Sequence, residues 1–188
     1  MKAVMISIKP KWVEKIANGE KTIEVRKTAP QEVPFKCYIY ETKGQYVKFT
    51  HGAHTKYGYG RGKVIGEFIC DRIICSQAYF DSQGKNHLTN VFPDDIKKTC
   101  LDEYDLWDYI AGKAVKANQM YDGYLWHISD LKIYDKPREL SEFRKPCDRF
   151  LDCCTCRRLV HNEYMSCDNK ITRPPLSWCY VEDLGEEE

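Results

Sequence analysis

The chain has 188 residues, enough for one domain, or one domain with a small appendage, and enough to bury a core. With 43% apolar and 30% charged residues it has the composition of a soluble globular protein. No apolar run reaches membrane-span length, and Met1 to Lys9 is too short for a signal peptide, so a cytoplasmic location is expected.

The net charge of +1 excludes a strongly basic protein that grips long duplex DNA, but the charge is unevenly placed. Residues 1–63 carry thirteen Lys or Arg against five Asp or Glu, and residues 64–188 carry sixteen against twenty-three. That asymmetry predicts a modest basic face suited to short single-stranded nucleic acid or a nucleotide, unless folding mixes the two parts and cancels it. Ten cysteines in a cytoplasmic chain read as free thiols or metal ligands rather than as a disulfide framework.

In chain order, Ala3 to Ile8 is β-branched and predicts a strand. Pro10 to Ala17 predicts a short helix, with Pro10 in its first turn and an apolar stripe of Trp12, Val13 and Ile16. Trp12 is expected in the core rather than against a ligand. Gly19 suits a left-handed helix C-cap, and Lys21 to Arg26 predicts a strand. Period-two alternation puts Lys21, Ile23 and Val25 on one face and Thr22, Glu24 and Arg26 on the other. Lys21, at the turn, can swing to either side. A cation, a carboxylate and a guanidinium in one short strand make either the floor of a site for a polar, planar ligand or an ordinary solvated ion pair of little energetic weight.

Lys27 to Pro34 reads as a loop, and Cys37 to Thr42 as a strand buried on both faces. Lys43 to Gly62 reads as a long polar loop. Its cations Lys43, Lys48, Lys56 and Arg61, with Tyr46, Tyr57 and Tyr59, have the makings of a nucleic-acid clamp or of a disordered insertion. His51 and His54 are spaced as half a metal site, without evident partners. Lys63 to Cys75 predicts one strand bent near Asp71, in which Gly66 lets another backbone approach and Cys70 and Cys75 are buried as small hydrophobes. A hairpin-like loop follows over Gln77 to Asn90. Pro93 to Gly112 predicts two helices joined near Leu101, the second capped by Asp102 and turning Leu106, Trp107 and Ile110 inward. Lys113 to Asp122 is irregular. Gly123 to Tyr134 predicts a strong strand ended by Lys136-Pro137, in which His127 is structural. One or two helical turns follow over Pro137 to Arg144, and Pro174 to Val181 leads into a last strand.

Six cysteines fall within residues 147–179. Cys153 and Cys156 form a C-x-x-C pair able to bind one tetrahedral zinc, with Cys147 and Cys167 as further ligands and Cys154 and His161 as alternatives. Little apolar sequence would otherwise hold residues 148–169 folded, which favours zinc over a loop of reduced thiols. Four protein ligands would make the site structural and present Arg157, Arg158, His161 and Tyr164 on a small knob.

The opening Met5-Ile-Ser-Ile-Lys-Pro-Lys-Trp-Val-Glu-Lys-Ile, followed by Asn18-Gly-Glu-Lys-Thr-Ile-Glu-Val-Arg-Lys, resembles that of ASCH domains of the PUA-like superfamily. Lys63-Val-Ile-Gly-Glu-Phe, Tyr124-Leu-Trp-His-Ile and Trp178-Cys-Tyr-Val resemble the same family's later strands. Single-domain ASCH proteins of this kind are similar to chains of bacteria and their phages. The resemblance implies an α+β fold: a small, mostly antiparallel PUA-like β-barrel over residues 1–146 plus 174–184, with flanking helices. By the same resemblance, residues 147–173 look like a cysteine-rich insertion before the last strand. It also implies a cleft for RNA, single-stranded nucleic acid or a nucleotide, lined by Lys9, Lys21, Glu24 and Arg26. There Arg26 and Lys21 would meet phosphate and Glu24 would accept from a base amino group. Tyr40, Thr42 and Trp126 are candidate walls.

One branch of the family resembles amidohydrolases of N-acylated cytidine, with Lys and, three residues on, a Thr nucleophile. Lys21 matches the Lys, but Glu24 holds the nucleophile position, which a carboxylate does not fill by the same mechanism. Binding is therefore the leading expectation. The alternatives are an enzyme on the same ligands, a ribonuclease or amidohydrolase with Glu24 as base and Lys21 stabilising negative charge, or a protein-interaction module in regulation or phage–host conflict.

Overall fold

The computed structural model describes residues 3–51, 54–113, 115–116, 119–146 and 169–185, with the backbone alone at 49, 51 and 54. In order, the elements are β1 (Ala3–Ile8), α1 (Pro10–Ala17), β2 (Ile23–Arg26), β3 (Phe35–Glu41), β4 (Gly44–His51), β5 (His54–Gly60), β6 (Val64–Cys70), β7 (Ile73–Phe80) and β8 (Asn86–Leu88), then α2 (Pro93–Thr99), α3 (Glu103–Ala111), β9 (Tyr121–His127), β10 (Ser129–Arg138), a 3-10 turn (Leu140–Glu142) and β11 (Trp178–Val181).

The strands form a five-stranded sheet in the order β10-β6-β3-β1-β11, a four-stranded sheet in the order β2-β9-β7-β8, and the separate ribbon β4-β5. All pairings are antiparallel except β1 with β3. The two larger sheets share no strand, so the α+β expectation holds, but no closed barrel exists among the described residues. What a barrel seam would do is done instead by a corner. The ribbons β6–β7 and β9–β10 run alongside each other and pass from one sheet to the other near Asp71–Arg72 and Ile128. Each stretch expected as one long strand is therefore two. At the corner Asp130 takes φ +47°, and the His127 Nδ1 lies 2.6 Å from the Asp71 carboxylate, a structural role as expected.

The core has three parts. β1 divides by alternation: Val4, Ile6 and Ile8 enter the layer with Phe35, Ile39, Phe68 and Trp126, whereas Ala3 and Met5 face Tyr38, Tyr40, Phe143 and Val181. The five-stranded sheet is thus covered on both faces, which is why β1 and β3 read as near-continuous apolar runs. The third part packs Leu106, Trp107 and Ile110 of α3 against Ile23, Val25 and Leu125. Asp102 caps α3 as expected, its Oδ1 accepting from the Asp105 N–H at 2.7 Å. Gly66 sits where a Cβ would meet the Lys132 carbonyl oxygen at 2.5 Å, the close approach its position predicts.

Other expectations are corrected. Lys43 to Gly62 is a two-stranded ribbon rather than an irregular loop. Cys70 is buried, but Cys75 is exposed. The stretch Pro137 to Arg144 holds only the 3-10 turn, because β10 runs on to Arg138. Cys147, Cys153, Cys156 and Cys167, with Cys154 and His161, lie outside the described residues.

Candidate functional site

The helix-to-strand turn builds the site. Gly19, at φ +75°, closes α1 in a Schellman motif: its N–H donates to the Ile16 oxygen at 2.9 Å, and the Glu20 N–H donates to the Lys15 oxygen at 2.9 Å. The chain then enters β2, an edge strand of the four-stranded sheet. Ile23 and Val25 turn towards α3. Glu24 and Arg26 turn the other way, into the layer between the sheets, where an apolar side chain would normally stand.

The surface-pair reading is excluded by burial: Lys21, Glu24 and Arg26 are 3%, 6% and 8% exposed. One Arg26 Nη2 lies 3.0 Å from Glu24 Oε1 and donates to the Ser7 carbonyl of β1 at 2.7 Å. The Lys21 ammonium donates to the carbonyls of Ile23 and Thr99, both at 2.8 Å, and stands 3.3 Å from Glu24 Oε2. Thr99 is the last residue of α2, so the cation meets the carbonyl end of a helix, where a positive charge is favoured. It also lies 5.3 Å from the centre of the Trp12 ring. Two of its three N–H groups are taken by the carbonyls, and its contact with Glu24 Oε2 is an ion pair outside hydrogen-bond geometry, which holds Glu24 in place.

Among the described residues, two buried polar atoms of the cluster make no hydrogen bond: Glu24 Oε2, which has only its ion pair with Lys21, and Arg26 Nε. Both residues line a cavity of about 680 Å³, within the usual range for small-molecule sites. Its walls come from four places. The end of β1 and start of α1 give Ser7, Ile8, Lys9, Lys11 and Trp12; Thr42 follows β3; α3 gives Asp105, Asp108 and Tyr109; Pro174 to Leu176 form the last side. The Ser7 hydroxyl is committed to the Pro175 carbonyl at 2.6 Å.

Of the residues singled out from sequence, the structure brings Lys9, Lys21, Glu24, Arg26 and Thr42 together around this cavity. Tyr40 and Trp126 stand elsewhere. Tyr40 packs on the far face of the five-stranded sheet with Met5 and Tyr38. Trp126 is opposite Glu24 across the β2–β9 ladder, but is fully buried edge-on to Phe35 and Trp178. Trp12, expected only in the core, does both jobs: it packs on the core and lines the cavity. Asp105, Asp108 and Tyr109 were readable as the polar side of α3, but no local signal says that this side faces β2. Among the described residues, no three His, Cys, Asp or Glu converge as a metal site.

Next to the cavity, Glu14 of α1 accepts from Lys48 at 3.0 Å and from the Tyr46 hydroxyl at 2.8 Å, both on β4. The bonds from Lys48 and Tyr46 hold its carboxyl below the usual range.

No protein-family description and no curated protein matches this sequence. Solved structures do. An ASCH crystal structure from Zymomonas mobilis is similar over 96% of this chain and 88% of that one, with a TM-score of 0.51 at 17% identity. A Tyr-to-Phe variant of the same protein aligns over 97% and 91%, and a Ser-to-Ala variant over 96% and 89%, each with a TM-score of 0.50 at 16% identity. The fold of this chain, two sheets joined at a corner with helices packed beside them, is accordingly that of the ASCH structures from Zymomonas mobilis.

Proposed function

We propose that the cavity beside β2 binds one nucleotide unit, either free or within RNA or another single strand. The observation that carries this reading is the buried Lys21–Glu24–Arg26 charge cluster, all three of whose residues line a hollow of nucleotide size. Charged groups are seldom buried without a purpose, so a fold that keeps this cluster at the wall of a hollow offers a polar floor to a complementary partner. An acceptor beside a donor matches the edge of a nucleobase, which offers the same two functions in reverse. Trp12 and Tyr109 supply rings for its face, and Lys9 and Lys11 supply exposed cations for its phosphate. Lys21 positions Glu24 through its ion pair.

The test is calorimetric titration of nucleosides, nucleoside 5′-monophosphates and a short RNA into the wild type and into Arg26→Gln. Binding by monophosphates that weakens at least tenfold in Arg26→Gln supports the reading. Equal binding by both proteins, or none by the wild type, overturns it.

The Glu24 carboxylate at the cavity wall favours one second reading, in which Glu24 is a general base on a bound RNA or acylated nucleoside. Thr22 is not among the cavity-lining residues, so it adds no support for the hydroxyl nucleophile of the amidohydrolase branch. Turnover of RNA or N-acylcytidine that disappears in Glu24→Gln would establish catalysis.

A further inference from the structure

The ribbon β4–β5 plays no part in the cavity, yet its two faces differ sharply. On one face the Tyr46 ring lies over Gly58, where a Cβ would come within 2.4 Å of it, and its hydroxyl donates to Glu14 of α1. The other face carries the cross-strand pairs Val47 with Tyr57 and Gln45 with Tyr59. These side chains are open to solvent: Val47 is 54% exposed, Tyr57 47% and Tyr59 70%. A ribbon clamped to a helix by one face thus presents two tyrosines on the other.

We propose that this outer face is a stacking surface for single-stranded nucleic acid, continuous with the cavity. Three observations carry the choice of occupant. First, residues two apart on a strand lie about 7 Å apart, roughly twice the 3.4 Å rise of a stacked duplex. Tyr57 and Tyr59 therefore match bases splayed from one another, as in an unpaired strand, and not a stacked helix. Second, residues 43–63 contain five Lys or Arg and no Asp or Glu. Lys48 meets Glu14 on the clamped face, whereas Arg61 with Glu41 and Lys63 with Glu139 form pairs whose cations stay solvent-exposed, so those two cations remain open to phosphate as well. Third, the root of the ribbon abuts the cavity rim. A Cβ at Gly60 would meet the Thr42 carbonyl oxygen at 1.9 Å and Pro10 Cγ at 2.5 Å, and Thr42 and Lys9 line the cavity. One strand could place a nucleotide in the cavity and lay its neighbours across the tyrosines. The ribbon surface stands on its own observations; only its continuity with a cavity-bound nucleotide rests on the function proposed above.

The test uses a labelled single-stranded RNA of about ten nucleotides, within the span of known single-strand sites, followed by fluorescence anisotropy. The double variant Tyr57→Ala/Tyr59→Ala should weaken binding about 100-fold, about tenfold per ring, while its thermal unfolding matches the wild type. Tyr57→Phe/Tyr59→Phe should retain binding, because stacking needs the ring and not the hydroxyl. Binding of nucleoside monophosphates should not change in either variant. If the alanine variant binds the RNA as the wild type does, if the wild type does not bind it, or if the substitutions alter only self-association in sedimentation, the proposal is overturned. If Arg26→Gln leaves monophosphate binding untouched while the alanine variant still loses the RNA, the cavity reading fails and the ribbon surface stands.

Discussion

Glu24→Gln tests the buried charge cluster directly. The carboxylate sits between two cations, 3.0 Å from Arg26 and 3.3 Å from Lys21, with all three side chains at most 10% exposed. Gln keeps the shape, and its amide oxygen still accepts from Arg26. Its NH₂ group, however, faces the Lys21 ammonium, donor against donor, and two buried positive charges lose their shared counter-ion. Removing one partner of a buried ion pair costs about 3–5 kcal/mol. The cavity opens to water on one side, which places this case at the lower end, about 3 kcal/mol. For a chain of this length each kcal/mol moves Tm by about 2–4 °C, so the variant should melt about 6–12 °C below the wild type. Differential scanning calorimetry of both proteins at neutral pH and matched salt is the assay. A fall of less than about 2 °C would mean that the three charges are solvated independently, and the cluster would cease to be a built site.

Glycine substitutions should rank by what surrounds them. Gly60→Ala drives a Cβ into the Thr42 backbone and should cost about 2 kcal/mol or more, whereas Gly19→Ala meets nothing within 4 Å and should cost about 1–2 kcal/mol for its φ of +75° alone. Urea unfolding reads both, and the reverse order refutes the packing at the ribbon root. Glu14 has a depressed carboxyl, so its contribution to holding the ribbon is complete above its ordinary value of 4.5 and is lost as pH falls through the lower folded value. The stability difference between wild type and Glu14→Gln should accordingly be constant from pH 8 to about 5 and shrink below about 4.5; a difference that grows on acidification contradicts the pairing. The zinc expectation for Cys147, Cys153, Cys156 and Cys167 predicts about one equivalent of zinc by elemental analysis of protein purified without added metal, reduced in Cys153→Ser/Cys156→Ser. Less than half an equivalent in the wild type would refute it.

The sequence disclosed most where one rule acted alone. Gly19 as a C-cap, Asp102 as an N-cap and the inward stripe of α3 follow from local chemistry, and each is found. Long elements were misjudged where a tertiary event cut across a uniform pattern. In Lys63 to Cys75 the bend expected near Asp71 is where the chain changes sheet, though nothing local says that the bend is a sheet corner, and in Gly123 to Tyr134 the left-handed Asp130 looks like an ordinary polar residue in a strand. The ribbon was hidden because its five glycines and polar side chains read as loop, although Tyr46, Val47, Tyr57 and Tyr59 carry strand preference. In the site, alternation correctly separated Glu24 and Arg26 from Ile23 and Val25. It could not say that their side faces the interior, because buried charge violates the very pattern by which interiors are recognised.

Glu24 and Arg26, buried at the wall of the cavity, are proposed as the polar floor on which a nucleotide sits. A crystal structure of the protein soaked with nucleoside 5′-monophosphates tests this most directly. The expected result is a base within hydrogen-bonding distance of the Glu24 carboxylate or the Arg26 guanidinium, with its ring beside Trp12 or Tyr109. A nucleotide bound elsewhere, or a cavity holding only water at saturating ligand, would contradict it.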